Sequence, residues 1–373
     1  MSHDDNPLAD MKVPFPDASF SIDAEGRLQK ALVEGTGLGQ LDKIVSWSAK
    51  VQQTDRPSPF RNVMGLAVTA KHDGNFAAGE DASHDHDPNQ LLTQLAQQAK
   101  VPLEFVDAGQ CVAAEHEPAL EHDAYIDILE RGRQAADRCI DSGADLLILG
   151  GMGPGTTTAA IAVTAHLTRT PFVDLSPRIY RPNGVIDDYI WMRRTAAIRD
   201  AMARAKGPKR NAAETMTHFG GPAITMAAAI IVAAGARRTP ILIDGPVGHA
   251  AALTSRDFSL GAPKWCYAPD RIPHPVVKKA AGQAGMIEPI GPGLDIGEGC
   301  ASMHSFPGLQ SALRLVNELP YLPDEPETSA DVAESNEPEA IEEPGQADEH
   351  GEGVSPDPQA TTTDGSEDTP EAN

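Results

Sequence analysis

Residues Leu146 to Thr158 read Leu-Leu-Ile-Leu-Gly-Gly-Met-Gly-Pro-Gly-Thr-Thr-Thr, a combination able to hold an anion. Four apolar residues run into a loop containing Gly150, Gly151, Gly153 and Gly155, and Thr156, Thr157 and Thr158 follow. Glycines let backbone amides approach a ligand without side chains in the way. Threonines cap the next helix and donate hydroxyls, while the helix N-terminus adds partial positive charge. The chemistry implied is phosphate binding. The loop has no lysine where a Walker A motif requires one, and its glycine spacing is not the G-x-G-x-x-G dinucleotide fingerprint. A tight strand-to-helix turn without a ligand would use the same residues.

Two other stretches carry groups able to do chemistry. Lys71-His72-Asp73-Gly74 follows the apolar run Met64 to Thr69. That puts polar groups at the carboxyl end of a buried strand, where open α/β sheets place ligands. A loop with a surface histidine is the plainer reading. His84-Asp85-His86-Asp87 has metal-ligating residue types, but its spacing within a charged, proline-ended stretch reads as a solvated loop. Cys111, Cys139, Cys266 and Cys300 are widely separated and form no C-x-x-C pair, so neither a zinc ribbon nor a disulfide framework is expected. No metal and no cofactor are expected.

The elements that must position these residues follow from hydrophobic periodicity. The run at Leu146 is unbroken and apolar, as in a strand covered on both faces of a parallel sheet. Further strands are expected at Met64 to Thr69, Leu103 to Val106, Phe172 to Leu175, Pro240 to Ile243 and Lys264 to Ala268. Helices are expected over Ser21 to Ala31, Leu41 to Val51, Leu91 to Ala99 and Asp123 to Ser142, the last closed by Gly143. Others should span Ala159 to Leu167, Asp187 to Ala205, Ala223 to Ala234, Ala250 to Ser255, Pro275 to Ala284 and Leu309 to Leu319. Asn183-Gly184 marks a turn and Met216 to Gly221 a break. Strands alternating with helices imply an α/β fold, a parallel sheet flanked by helices (Rossmann-like), with a smaller helical N-terminal subdomain.

Composition divides the 373 residues further. From Asp324 onward there is no Lys or Arg, and 17 of the 54 acidic residues lie there, which leaves 37 against 30 basic residues in the body. Such a segment buries too little apolar surface to offset its ordering entropy, so residues 324–373 are expected to be a disordered acidic tail. Residues 1–20 read as a flexible leader and 21–323 as the body, with about 21–60 helical and 61–323 the α/β core. No basic stripe with interleaved aromatics appears, which argues against nucleic-acid binding. The polar N-terminus lacks a signal core and no apolar run approaches bilayer length, so a cytoplasmic protein that does not contact membrane is expected.

Several motifs in order resemble one family. They are Gly35-Thr36-Gly37-Leu38-Gly39, Glu117-Pro118-Ala119-Leu120, the Gly150–Thr158 loop, Gly184 to Arg194, Phe219-Gly220-Gly221, Ile243-Asp244-Gly245 and Gly297-Glu298-Gly299. Together they are similar to the nicotinate-nucleotide:dimethylbenzimidazole phosphoribosyltransferases of cobamide lower-ligand assembly. The resemblance is strong from about Ala119 to Pro320, traceable from Val33 to Gly109, and does not reach the tail.

The resemblance implies transfer of phosphoribose from nicotinate mononucleotide to a benzimidazole nitrogen, giving α-ribazole 5′-phosphate and nicotinate. It implies small-molecule substrates and a homodimer. It carries the catalytic base onto Glu298 and nucleotide or phosphate binding onto Gly153, Gly155, Thr156, Thr157, Thr158, Arg194, Gly220 and Gly221. The base pocket would fall at Gly297, Gly299, His72 and Gln90. Gly151 stands where the family has Glu, Thr156 where it has Asn, and Ala223 where it has a second carboxylate. The Gly79–Gln90 stretch is shortened. These departures leave two alternatives: a branch using another acceptor base, or a non-catalytic nucleotide-binding homologue. A Rossmann-type dehydrogenase would need another glycine spacing and a suitably placed ribose-binding acid.

Overall fold

In the computed structural model the described residues are 6–33, 37–80, 88–181, 184–205, 210–287 and 291–322. The acidic tail, the His84–Asp87 motif and Asn183 lie outside them. In chain order the elements begin with α1 (Ser19–Gln29), α2 (Leu41–Gln52), β1 (Val63–His72), α3 (Pro88–Ala99), β2 (Leu103–Cys111) and α4 (His122–Asp141). Then come β3 (Leu146–Met152), α5 (Thr156–Thr168), α6 (Phe172–Leu175), α7 (Asp188–Arg204), α8 (Ala212–Thr215) and α9 (Gly221–Ala236). The body ends with β4 (Ile241–Ile243), α10 (Gly245–Phe258), β5 (Cys266–Tyr267), α11 (Pro275–Ala284) and α12 (Cys300–Glu318).

The five strands form one parallel sheet in the order β2-β1-β3-β4-β5. The chain steps from β1 outward to β2, then returns to the other side of β1 with β3. The loops after β1 and β3 pack on each other at the carboxyl ends of the strands, the usual ligand position in such sheets, with His72 N–H donating to the Pro154 carbonyl at 2.9 Å. The loop after β1 begins at Asp73, and the loop after β3 is the glycine loop. A bulge between Thr69 and Ala70 shifts the β1–β2 register, so that His72 faces Cys111 where the two strands end.

Helix α9 is buried along Gly221–Gly235 because Ala, Ile, Met and Val surround it. The run Ala212–Ala236 is apolar enough to cross a membrane, yet 94% of its most apolar window is buried inside the fold. It is the central core helix. Gly132 of α4 permits close contact, since a Cβ there would lie 2.7 Å from the Met226 carbonyl oxygen of α9.

The N-terminal helices α1 and α2 pack on each other and take the last helix, α12, as a third partner. The Gln310 side chain exchanges two hydrogen bonds with the Phe60 backbone, at 2.9 and 2.7 Å. Leu32 N–H donates to the Pro320 carbonyl and Leu322 N–H to that of Lys30. Trp47 of α2 enters the core and stacks on Tyr267 of β5, with ring centroids 4.9 Å apart.

Four local expectations are corrected. Phe172 to Leu175 is a helical turn, not a strand: Asp174 N–H and Ser176 N–H close onto the carbonyls of Pro171 and Val173. Met216–Gly220 is a π-helical segment linking α8 to α9, not a break. Helices α10 and α12 begin at Gly245 and Cys300, well before the expected Ala250 and Leu309. The stretch read as a loose leader is packed from Leu8, which is buried together with Val13, and Trp265 Nε1–H donates to the Pro14 carbonyl at 2.8 Å.

Trp47 is 1% exposed and lies between Phe60 and Tyr267, which makes it the bolt between the N-terminal helices and the sheet. Trp47→Ala should cost about 3–5 kcal/mol, read as a fall in the guanidinium denaturation midpoint. An unchanged midpoint would mean that the N-terminal helices contribute little to the core.

Candidate active site

Two carboxylates at the carboxyl edge of the sheet cap each other's helices. Asp244 directly precedes α10, and Glu298 stands two residues before α12. Glu298 Oε1 accepts from Val247 N–H at 2.7 Å and Oε2 from Gly248 N–H at 3.2 Å, both in the first turn of α10. Asp244 Oδ1 accepts from Gly299 N–H, and Oδ2 from Ser302 N–H at 2.6 Å, at the start of α12. Asp244 makes no side-chain cap to its own helix. The orphan amides and partial positive charge of a helix start are what a buried carboxylate requires.

Glycines make this crossing possible. Gly245 has φ +63°, and a Cβ there would lie 2.3 Å from Glu298 Cδ. A Cβ at Gly150 would lie 2.9 Å from the Gly299 nitrogen, so the Gly297–Gly299 turn sits directly on the end of β3. At Gly151, where the resembling family carries Glu, a Cβ would meet Val247 Cγ1 at 2.6 Å. Val247 therefore occupies that space here.

Both carboxyls are held above the ordinary range. Burial raises Asp244 to about 6, against the opposing amides of Ser302 and Gly299. Burial also raises Glu298 well above its usual value; the charge of Asp244 adds to this, and the Val247 and Gly248 amides oppose it. Asp244 ionises first, so the repulsion falls on the second ionisation, that of Glu298. A carboxylate shifted in this direction can accept a proton near neutral pH.

The glycine loop forms an anion cradle already occupied by a side chain. Gly155, at φ +80°, is the N-cap of α5, and its N–H donates to Glu80 Oε2 at 2.7 Å. Glu80 Oε1 pairs with Arg194 Nη2 at 2.7 Å, and Arg194 Nε–H donates to the Ala78 carbonyl. Arg194 and the loop amide thus converge on one anionic group, here the chain's own carboxylate. Burial raises Glu80, opposed by Arg194 and then by the Gly155 amide. Gly153 presses on β1, where a Cβ would come 1.8 Å from the Ala70 carbonyl oxygen. Thr156 and Thr158 donate their hydroxyls to the carbonyls of Gly153 and Phe76. Thr157 instead lines a small cavity with Arg194 and His274.

His72 is fully buried rather than at the surface, wedged between two glycines. A Cβ at Gly155 would lie 2.6 Å from His72 Cβ, and one at Gly221 2.3 Å from His72 Cε1. Gly221 and His72 are thereby brought to the glycine loop, while Gly220 packs against Met216 and Val163. His72 Nδ1 lies 3.2 Å from Cys111 Sγ, and its Nε2 finds no partner among the described residues. Gln90 is exposed on α3, the helix whose Leu92 touches Gly299. Gly297 is exposed beside Glu298. A separate cavity of about 740 Å³ opens beside the end of β2, lined by Cys111, Glu117, Glu121, Glu214 and His218 among others. Glu298 is not part of its lining. No set of three or more His, Cys, Asp or Glu side chains is arranged for a metal among the described residues.

Sequence reasoning missed Asp244, Glu80 and Cys111 as functional partners. Asp244 was visible in the Ile243-Asp244-Gly245 motif after a strand, but it was given no role, and nothing local reveals that its side chain reaches another helix. Burial lowers His72 from 6.5 to about 4. Its neutral form therefore contributes fully to stability above about pH 6.5, a contribution lost as pH falls toward about 4. An NMR titration of the His72 ring should show no protonation until about pH 4. Titration near 6.5 would mean that the ring reaches water.

With this geometry described, comparison with known proteins gives a consistent result. A family model described as phosphoribosyltransferase matches residues 13–324. The nicotinate-nucleotide–dimethylbenzimidazole phosphoribosyltransferase of Streptomyces avermitilis is 30% identical over 334 residues, covering 82% of this chain and 88% of that protein. The Streptomyces coelicolor enzyme of the same name is 30% identical over 339 residues, covering 83% and 94%. The crystal structure of the Thermus thermophilus enzyme of that name superposes with a TM-score of 0.71 at 23% identity, covering 82% of this chain and 97% of that one, and it shows the shared fold. The chain belongs to the nicotinate-nucleotide–dimethylbenzimidazole phosphoribosyltransferase family.

Proposed function

We propose that this protein transfers the phosphoribosyl group of nicotinate mononucleotide to dimethylbenzimidazole or a related base, with Glu298 as general base. The observation that carries the reading is the buried Glu298, its carboxyl raised well above the usual range, on a glycine turn stacked against the end of β3, the strand that leads into the glycine loop. The C1′–N bond to nicotinate breaks, and its electron pair neutralises the pyridinium nitrogen, so the leaving group needs little acid assistance. One benzimidazole nitrogen forms the new bond to C1′, and the proton on its other nitrogen passes to Glu298. Each Glu298 oxygen accepts one amide bond and keeps capacity for another.

The 5′-phosphate takes the place of the Glu80 carboxylate on Gly155 N–H and Arg194, where a bidentate guanidinium and a helix start suit it. Thr157 adds a hydroxyl from the same turn. The catalytic body includes the packed N-terminal stretch from Leu8 and runs to Leu322, and the acidic tail that follows takes no part in catalysis. The enzyme works as a cytoplasmic homodimer. One observation favours binding without turnover: both Glu298 oxygens already serve as a helix cap.

A purified-protein assay with nicotinate mononucleotide and dimethylbenzimidazole, benzimidazole or adenine separates the two readings. Base-dependent release of nicotinate is expected, and Glu298→Gln should lower kcat by about 10²- to 10⁴-fold. Mononucleotide binding with no release on any base would establish the non-catalytic reading. Glu80→Gln should lower KM for the mononucleotide by roughly tenfold, because a neutral amide competes less well than a carboxylate for one charge-assisted contact. A raised KM would instead identify Glu80 as a brace for Arg194.

A further inference from the structure

We propose that Asp244 is a positioning residue for this reaction: it fixes the turn that carries Glu298 and sets the charge that Glu298 faces. The inference rests on the transferase reading of the site. Its basis is the direction of the two caps. Asp244 could have capped α10, the helix it precedes, but it turns to Gly299 and Ser302 instead. The first of these amides belongs to the residue directly after Glu298. Moving Asp244 therefore moves the Glu298 backbone, which has no other carboxylate clamp on that side among the described residues. Glu298 in turn holds the residues three and four positions beyond Asp244, so the two carboxylates and both helix starts form one closed unit.

The charges facing Glu298 come from few directions. Asp244 faces it from the end of β4, and Asp295 from the loop before the turn. Cys300 opens α12 with its thiol pushed up to about 12, mainly by burial, and is therefore neutral. His249, in the same turn of α10, binds the Gly245 carbonyl through Nδ1 and stays neutral to about pH 4. From β3 and α3, Gly150 and Leu92 lie against the turn. Asp244 is thus the buried charge that Glu298 meets, and no cation is paired with it there among the described residues. A carboxylate facing that charge is a stronger base and gives up its proton only at higher pH.

Asp244→Asn retains the size, removes the charge and gives up one of the two caps, because its amide nitrogen cannot accept from a backbone N–H. The acid limb of the kcat–pH profile should move down by about one pH unit, with kcat on its plateau reduced and KM for the mononucleotide changed by no more than about twofold. A fall in kcat with the limb unmoved would reduce Asp244 to a structural cap and overturn the proposal. If the variant does not fold, an infrared titration of the intact protein decides instead. Two buried carboxyls should protonate in separate steps, and Glu298→Gln should abolish the higher one. Loss of the lower step would overturn the proposal. The titration needs no turnover, so absence of transferase activity in the unmodified protein would count against the proposed reaction and not against the coupling of the two carboxyls.

Discussion

The site depends on one constraint: two like-charged carboxyls must be kept out of water at the sheet edge without a cation between them. Exchanging caps meets it. Each carboxylate receives two backbone amides at the positive end of a helix, and helix caps of this kind contribute on the order of 1 kcal/mol each. The exchange also ties the end of β4 and the start of α10 to the start of α12. Glycines at 150 and 245 are consequences of it, because any side chain at either position would enter the turn or the carboxylate itself. What remains uncompensated is burial first and then the charge of Asp244, and both raise the basicity of Glu298.

The sheet order explains why the other half of the site is close by. β1 and β3 flank the point where the chain reverses direction across the sheet, and their two following loops meet there. His72, at the end of β1, fills the space between Gly155 and Gly221 and so sets the spacing between the glycine loop and α9. The loop amide and Arg194 converge on a carboxylate from the chain itself. Glu80 thereby holds the glycine loop and Arg194 together.

Much of this was legible in the sequence, and what was hidden has a common cause. The unbroken apolar run at Leu146 announced a strand covered on both faces, and the glycines after it a loop in close backbone contact; the structure has both. The starts of α10 and α12 were hidden because their caps come from residues about fifty positions away, not from a local Ser, Thr or Asp signal. Pro307 inside α12 concealed that helix further. His72 read as a surface group because its partners, Gly155, Gly221 and Cys111, are distant in the chain. The three threonines looked equivalent, yet two of the hydroxyls serve neighbouring carbonyls, a distinction that only tertiary packing makes.

The most direct test of the account is a crystal structure of the protein with nicotinate and α-ribazole 5′-phosphate bound together. The account places the benzimidazole nitrogen within hydrogen-bond distance of the Glu298 carboxylate, with the phosphate on Gly155 N–H and Arg194 in place of Glu80. A benzimidazole seated in the cavity beside β2, with Glu298 still sealed beneath α10, would contradict it.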